Sequence, residues 1–395
     1  MARVLAFSDY YSGQTSGGAE RVAHEVYTRL ARDHGLEVAV MAAVPRGALK
    51  LAAPDHVGGI SVVTHSGVDL SRLMGVQLTL SPTLIWDGMR TVASFKPDVL
   101  HANSLHFQGS VLAAWIARRN SIPLVTTAHL GGVGYMHGLR GMGANAWDNT
   151  LGRFIVANSS ALVAVSPSVA THLRSLGGPS LHIELAPNGV DHAVFHARDR
   201  QPHSGPLRVG LIGRLIANKG PRLALEAVGA LRMEGRPMTL CVLGDGPLLR
   251  RLQRRSIQPD LRGAVTFCGR VEDVAQRMRT LDVVVRPSQT EGLPLVVLEA
   301  MASGAVVVAS AVPGNADLID DGRTGLLVRV GDAMALADAL RRLDDDRLLL
   351  ERLQRDALAT ASHYSWESSA AMHLRGFEWA LNGRTGGPLT SPTGC

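Results

Sequence analysis

Aromatic side chains are scarce in this chain, at 4% of residues, and there are only three cysteines. Cys241, Cys268 and Cys395 stand far apart with no paired spacing. That argues against a disulfide framework or a thiolate zinc site, and for a reducing cytoplasm. No uninterrupted apolar run of about 18 residues occurs, so no membrane-spanning segment is expected. The stretch 1–8 lacks the basic segment, long apolar core and small-residue cleavage site of a signal peptide, and a cytoplasmic protein is expected. The net charge of +6 is spread over a long chain, and the basic residues form no block with interleaved aromatics. Nucleic acid is therefore not an expected partner, whereas a small anionic ligand or peripheral contact with an anionic membrane would fit the sign. Neither an H-E-x-x-H nor a suitably placed D-x-D spacing is present, so no metal site is expected.

What is present is length, apolar content and glycine. A chain of 395 residues, 46% hydrophobic, has enough core for two domains. Apolar runs at 3–8, 37–43, 60–65, 98–102, 124–128, 161–166 and 182–186 read as strands. Between them, 18–32 and 110–119 show helical spacing, the first through Val22, Val26 and Leu30. After a polar, Pro- and Gly-containing break the rhythm restarts with strands at 207–212, 238–243, 265–268, 282–286, 305–309 and 325–328. Alternation of this kind predicts parallel sheets with helices on both faces. The expected organisation is an N-terminal α/β domain over 1–190, a linker over 191–206 and a second α/β domain over 207–363. A helix over 364–381 and a flexible tail over 382–395 complete it. Residues 333–353 read as helical. The 70–90 region, with Leu73, Leu78, Leu80, Leu84, Ile85 and Trp86, is amphipathic. Packing on the first domain's own core explains it more simply than a membrane contact.

Several segments fall where an open parallel sheet binds ligands, after the carboxyl ends of strands. Glu291-Gly292-Leu293-Pro294-Leu295-Val296-Val297-Leu298-Glu299 follows the strand ending near Arg286-Pro287-Ser288 and leads into a helix. The helix start favours an anionic group such as a diphosphate, and Glu299 can accept two hydrogen bonds from a ribose diol. A bare E-x7-E spacing reads equally as a surface pair of glutamates; the flanking Pro287-Ser288 and Ala300-Met301-Ala302-Ser303-Gly304 make it specific. Arg214 and Lys219 follow the strand 207–212, five positions apart. Two such cations can stabilise a leaving diphosphate, although solvated turn residues would look the same. Asn218 before the lysine and Gly220 after it rule out a Walker loop. Gly17 and Gly18 open the first helix and allow close backbone approach to a ligand, or simply cap it; they lack dinucleotide-binding spacing. His129 follows the strand 124–128, from where an imidazole can reach a substrate hydroxyl. His101 and Asn103 end another strand, in a position to meet an acceptor.

In this order, the segments resemble the family 4 retaining glycosyltransferases over nearly the whole chain. The likeness implies the GT-B architecture, two Rossmann-like parallel-sheet domains facing across a cleft. It implies that Arg214 and Lys219 hold the nucleotide diphosphate, that Glu299 holds the ribose, and that Glu291 meets the donor sugar with the amides of Gly292 and Leu293. Leu295 and Val296 lie at the helix start beside them. The Gly17-Gly18 loop would close over the phosphate, His129 would contact the donor sugar, and Gly269-Arg270-Val271 would read the base through its backbone. The terminal helix would cross back to the first domain. Two departures stand out. Leu130-Gly131-Gly132 follows the histidine where the family often has an aspartate, and Arg286 is polar where the strand usually ends apolar.

The reaction implied is metal-independent transfer of a sugar from a nucleoside diphosphate, on family grounds UDP, to an acceptor hydroxyl with retention. The nucleotide sugar is then a co-substrate, with no cofactor required. The acceptor class stays open between a small molecule, a glycan and a lipid-linked intermediate. Competing readings are a non-hydrolysing sugar-nucleotide 2-epimerase and a catalytically silent binding subunit.

Overall fold

The computed structural model describes the chain apart from residues 10, 12–16, 46–55, 70–78, 133–137, 179, 199–204 and 383–395. The expected tail therefore lies outside the described residues, as do much of the 191–206 linker and the start of the amphipathic 70–90 stretch. The chain divides into two compact units. One comprises Met1–Val165, Val169–Ala186 and the residues from Ser369 onward; the other comprises Ser166–Ser168 and Pro187–Ser368.

In the first unit, nine strands are described: β1 (Arg3–Phe7), β2 (Glu37–Pro45), β3 (His56–Val57), β4 (Ile60–Asp69), β5 (Thr79–Leu80), β6 (Val99–Ala102), β7 (Leu124–Ala128), β8 (Ala161–Ala164) and β9 (Ile183–Leu185). Their order is β3-β4-β2-β1-β6-β7-β8-β9, with β5 on β4. All pairings are parallel except the two made by the short strands β3 and β5. The central strands are apolar on both faces; Val4, Leu5, Val99, Leu100, Leu124, Val125 and Val163 are wholly inaccessible. A sheet covered by helices on both sides requires that pattern. The last helix, Trp366–Asn382, belongs to this core from Ser369 onward: Phe377 is buried, and a Cβ on Gly376 would lie 3.1 Å from Val163.

The second unit holds β10 (Leu207–Ile212), β11 (Met238–Leu243), β12 (Val265–Gly269), β13 (Val283–Arg286), β14 (Val306–Ser310) and β15 (Leu326–Val328). They run in the order β12-β11-β10-β13-β14-β15, all parallel. Val209, Leu211, Val283, Val285, Val306 and Val308 form a core with Leu225, Val228 and Leu340.

Three details go beyond the reading of the sequence. The helical stretch 333–353 is divided between two helices, Ala333–Asp345 and Arg347–Ala361, because Asp346 turns out of helical geometry and its carboxylate accepts the Leu349 N–H. Such N-capping competes with helix continuation. The expected linker begins as packed structure: Val190 pairs with Ser365, Asp191 accepts the N–H groups of Ala193 and Val194, and Phe195 is buried. In the 70–90 stretch, the helix Leu84–Phe95 buries Leu84 while Ile85 and Trp86 are exposed. Among the described residues no helix is long and apolar enough to cross a membrane.

Candidate functional site

Each sheet has one place where strand order reverses. In the second unit the chain runs outward from β10 to β11 and β12, then returns to β13, β14 and β15 on the other side. The two crossovers leave in opposite directions from β10 and β13, so a crevice opens above their carboxyl ends. Arg214 and Lys219 follow β10, while Arg286 ends β13 and Glu291 follows it. Topology alone therefore gathers these four residues at one place.

Their side chains form a charge cluster. Lys219 Nζ donates to both carboxylate oxygens of Glu291, at 2.9 and 3.0 Å. Arg286 Nε donates to Glu291 Oε1 at 2.8 Å, and its guanidinium also reaches the Ile212 carbonyl at 3.0 Å. Burial alone would raise the Glu291 carboxyl, but the charges of Arg286 and Lys219 outweigh it and hold it down at about 2. Burial and the repulsion of Arg286 bring the Lys219 amine down to about 8, against the pull of Glu291. Arg214 is exposed but close enough to add to that repulsion. The cluster thus sets two cations, Arg286 buried and Lys219 largely so, on one buried carboxylate, with a third cation beside them. An anion entering here meets a surplus of fixed positive charge in a low-dielectric setting.

The loops that carry these groups are tied together. Lys219 closes a short 3-10 turn, Ala217–Lys219, that ends at Gly220 with φ +65°, and Pro221 then starts the helix Pro221–Met233. Gly220 is required there, since a Cβ would come within 2.0 Å of the Pro287 carbonyl oxygen. The Gln289 N–H donates to the Asn218 carbonyl, joining the Lys219 turn to the Glu291 loop. Gly292 and Leu293 are buried, and Asn188 Nδ2 holds the Leu293 carbonyl at 2.6 Å. The helix Leu295–Ala302 follows. Its first N–H groups, those of Leu295 and Val296, precede any intrahelical acceptor. Glu299 lies buried on this helix. At the end of β12, Gly269 takes φ +65° and its carbonyl accepts the Gly244 N–H, leaving Arg270 exposed and Val271 half-buried.

Arg286 is the residue that sequence reasoning left without an account. Its signal was there: a charged side chain at the end of a strand otherwise built of valines. Glu291, expected to meet the donor sugar, is also the shared partner of Lys219 and Arg286, a partnership that its spacing in the sequence did not reveal.

In the first unit the reversal falls between β1 and β6. Gly17 and Gly18 open the helix Gly18–His34, and the Gly17 N–H donates to Glu20 Oε2 at 3.1 Å, so the capping role is real. A Cβ on Gly17 would meet no described atom within 4 Å, so packing among the described residues does not demand glycine there. Asn103 follows β6. Its Nδ2 donates to the Ser8 hydroxyl and the Ala19 carbonyl, and its Oδ1 lies 2.8 Å from His129 Nε2. A carbonyl only accepts, so the amide orientation is fixed and His129 donates through Nε2, leaving Nδ1 an acceptor. Burial, with His373 nearby, depresses His129 to about 3 and keeps it neutral.

The expectation that His101 and Asn103 face an acceptor is corrected. Both are buried, at 1% and 2% exposure. His101 is held between the Tyr27 hydroxyl at 2.6 Å and the Thr127 hydroxyl at 2.9 Å, with the Phe377 ring edge-on. It is a satisfied core histidine, and Asn103 positions His129. Sequence reading also passed over Asp9 at the end of β1. It is 2% exposed, its Oδ1 accepts the Gly109 N–H at 3.1 Å, and its Oδ2 meets no hydrogen-bond partner among the described residues. Burial outweighs the backbone hydrogen bonds and raises it to about 7. Among the described residues no three His, Cys, Asp or Glu side chains gather as a metal site would require.

Comparison with known proteins adds the following. A family model described as Glycosyltransferase Family 4 matches residues 16–194, and one described as Glycosyl transferases group 1 matches residues 206–346. The chain is 28% identical over 385 residues to glycogen synthase of Mycobacterium tuberculosis, covering 93% of this chain and 92% of that one. It is 32% identical over 318 residues to D-inositol 3-phosphate glycosyltransferase of Stackebrandtia nassauensis, covering 75% and 71%. Among solved structures it is similar to Anabaena HepE in complex with UDP, with TM-score 0.73, 21% identity and coverage of 96% and 100%. Sucrose-phosphate synthase from Thermosynechococcus elongatus matches with TM-score 0.79, 21% identity and coverage of 97% and 100%. At those identities the structures speak for the fold, which is GT-B.

Proposed function

This chain belongs to glycosyltransferase family 4, and on that premise we propose that it moves a sugar from a UDP-linked donor to an acceptor hydroxyl, with retention and without a metal. A nucleotide-sugar-dependent glycosyltransferase is the broad class; the base, the stereochemistry and the metal independence are the finer reading. The observation that carries it is the Lys219–Glu291–Arg286 cluster at the second sheet's reversal point.

In this reading the donor diphosphate takes the surplus positive charge of Arg214, Lys219 and the start of the helix Leu295–Ala302, and Glu299 holds the ribose. As the bond to the sugar breaks, negative charge grows on the departing phosphate, where fixed cations act more strongly than on the intact donor. Glu291, ion-paired through both oxygens, is a poor nucleophile, which favours a mechanism without a covalent sugar–enzyme intermediate. The acceptor then attacks from the side the phosphate leaves, its proton passing to the phosphate oxygen. Gly269-Arg270-Val271 would line the base, and His129, neutral with Nδ1 accepting, would take a hydrogen bond from a donor-sugar hydroxyl. UDP as the carrier rests on the fold-level likeness to HepE, whose structure was solved with UDP.

The test is a panel of nucleotide sugars assayed for nucleoside diphosphate release, with and without chelator. Release from a UDP-sugar that persists in chelator and yields an α-linked product from an α-linked donor is the expected outcome. Strict dependence on another base, loss in chelator, or inversion would overturn the corresponding part.

A further inference from the structure

Cys241 and Cys268 lie outside the charge cluster, and strand pairing brings them together in a way their spacing in the sequence hides. In the parallel pair β11–β12, Cys241 stands opposite Thr266 and Val242 opposite Phe267; then the ladder slips and Leu243 meets Gly269. Cys268 is therefore the extra residue of a bulge. In an unbroken ladder it would face Leu243, on the diagonal from Cys241, where side chains stand about 7–8 Å apart. Instead the two sulfurs are 3.5 Å apart. Both cysteines are half-buried and free, and β12 is the outer strand of its sheet, within reach of a small solute.

We propose that Cys241 and Cys268 form a reversible dithiol site that small-molecule disulfides oxidise to an intramolecular cross-link. Cys268, on the outer strand and freed from the ladder by the bulge, takes the first attack. The Cys268 thiolate attacks one sulfur of the oxidant, forming a mixed disulfide and releasing one thiol. Cys241 then attacks Cys268 Sγ, gives its proton to solvent, and displaces the second thiol. The two cysteines are oxidised and the small disulfide is reduced to two thiols. Bond formation needs the sulfurs to close by about 1.5 Å, a side-chain rotation at a sheet edge. A bulge residue, freed from the ladder, can accommodate that. The site is independent of the transferase reading.

The test uses the full chain carrying Cys395→Ser, incubated with oxidised glutathione and mapped with trypsin. The expected result is loss of two hydrogens in mass and a single linked species joining peptides 233–250 and 263–270. It is reversed by dithiothreitol and absent in Cys241→Ser and Cys268→Ser. Phenylarsine oxide, which bridges neighbouring thiols, should bind once per chain and block the cross-link. Separate glutathione adducts on the two cysteines would overturn the proposal. So would native protein that stays reduced at a glutathione ratio that cross-links the urea-unfolded chain.

Discussion

Replacing Lys219 by methionine separates what this residue does for the reaction from what it does for the fold. Its amine falls from an ordinary 10.5 to about 8. At about 1.4 kcal/mol for each pH unit, holding it charged inside the protein costs about 3 kcal/mol near neutrality. Methionine removes that cost and keeps most of the volume. Against this, Glu291 loses one of its two cations, and Arg286 alone holds it at 2.8 Å. That loss is already contained in the amine's value of about 8, so near neutrality the variant should be at least as stable as the parent, by up to about 3 kcal/mol. Turnover should behave otherwise. Loss of one fixed donor to a developing anion costs roughly 3–4 kcal/mol, a fall in kcat of about 10²–10³. The assay is steady-state diphosphate release beside urea unfolding at pH 8 and pH 10. Between those values the parent gains stability as pH rises, because the unfolded lysine binds a proton that the folded one does not; the variant should lack that gain. A folded Lys219→Met protein turning over within about threefold of the parent would refute the catalytic assignment.

Three further outcomes are expected. His65, His129 and His373, depressed by burial to about 4, about 3 and about 4, stay neutral in the fold where the unfolded chain would bind protons. Stability should therefore be full above pH 6.5 and fall by about 1.4 kcal/mol per pH unit per histidine below it; a flat urea-melt series from pH 7 to 5 would contradict this. Asp9 is raised, so the fold keeps a proton that the unfolded chain gives up above about 4; stability from this group is lost as pH rises from about 4 to about 7 and the loss is complete above that. Asp9→Asn should gain about 2 kcal/mol at pH 8 by thermal melting, whereas a loss would count against the charge argument. Gly220→Ala drives a Cβ against the Pro287 carbonyl at φ +65° and should cost more than about 2 kcal/mol and most nucleotide affinity, readable by calorimetry; wild-type affinity would sink it.

Much of the second unit could be read from the chain because its strands are buried on both faces and so appear as unbroken valine and leucine runs between helices. The run Leu207–Ile212 needed no tertiary information. Position after a strand end likewise located Arg214, Lys219 and Glu291. Partnership was not legible: that Glu291 is shared by Lys219 and Arg286 depends on β10 lying beside β13, a crossover that no local pattern encodes. His101 was misassigned for the same reason. Its polarity at a strand end resembled a site residue, and only the fold supplies Tyr27 and Thr127 as partners. The break at Asp346 and the bulge at Cys268 each turn on a single residue's backbone, below what periodicity resolves.

The lobe that begins at the amino terminus is finished by the last helix of the chain, where Phe377 sits edge-on to His101. During synthesis, roughly half of the protein leaves the ribosome with one flank uncovered, and it stays so while the entire second lobe is made and folds. A stop codon ahead of Ser369 would therefore injure the lobe farthest from it in sequence, and supplying the missing segment in trans as a peptide should restore its melting transition.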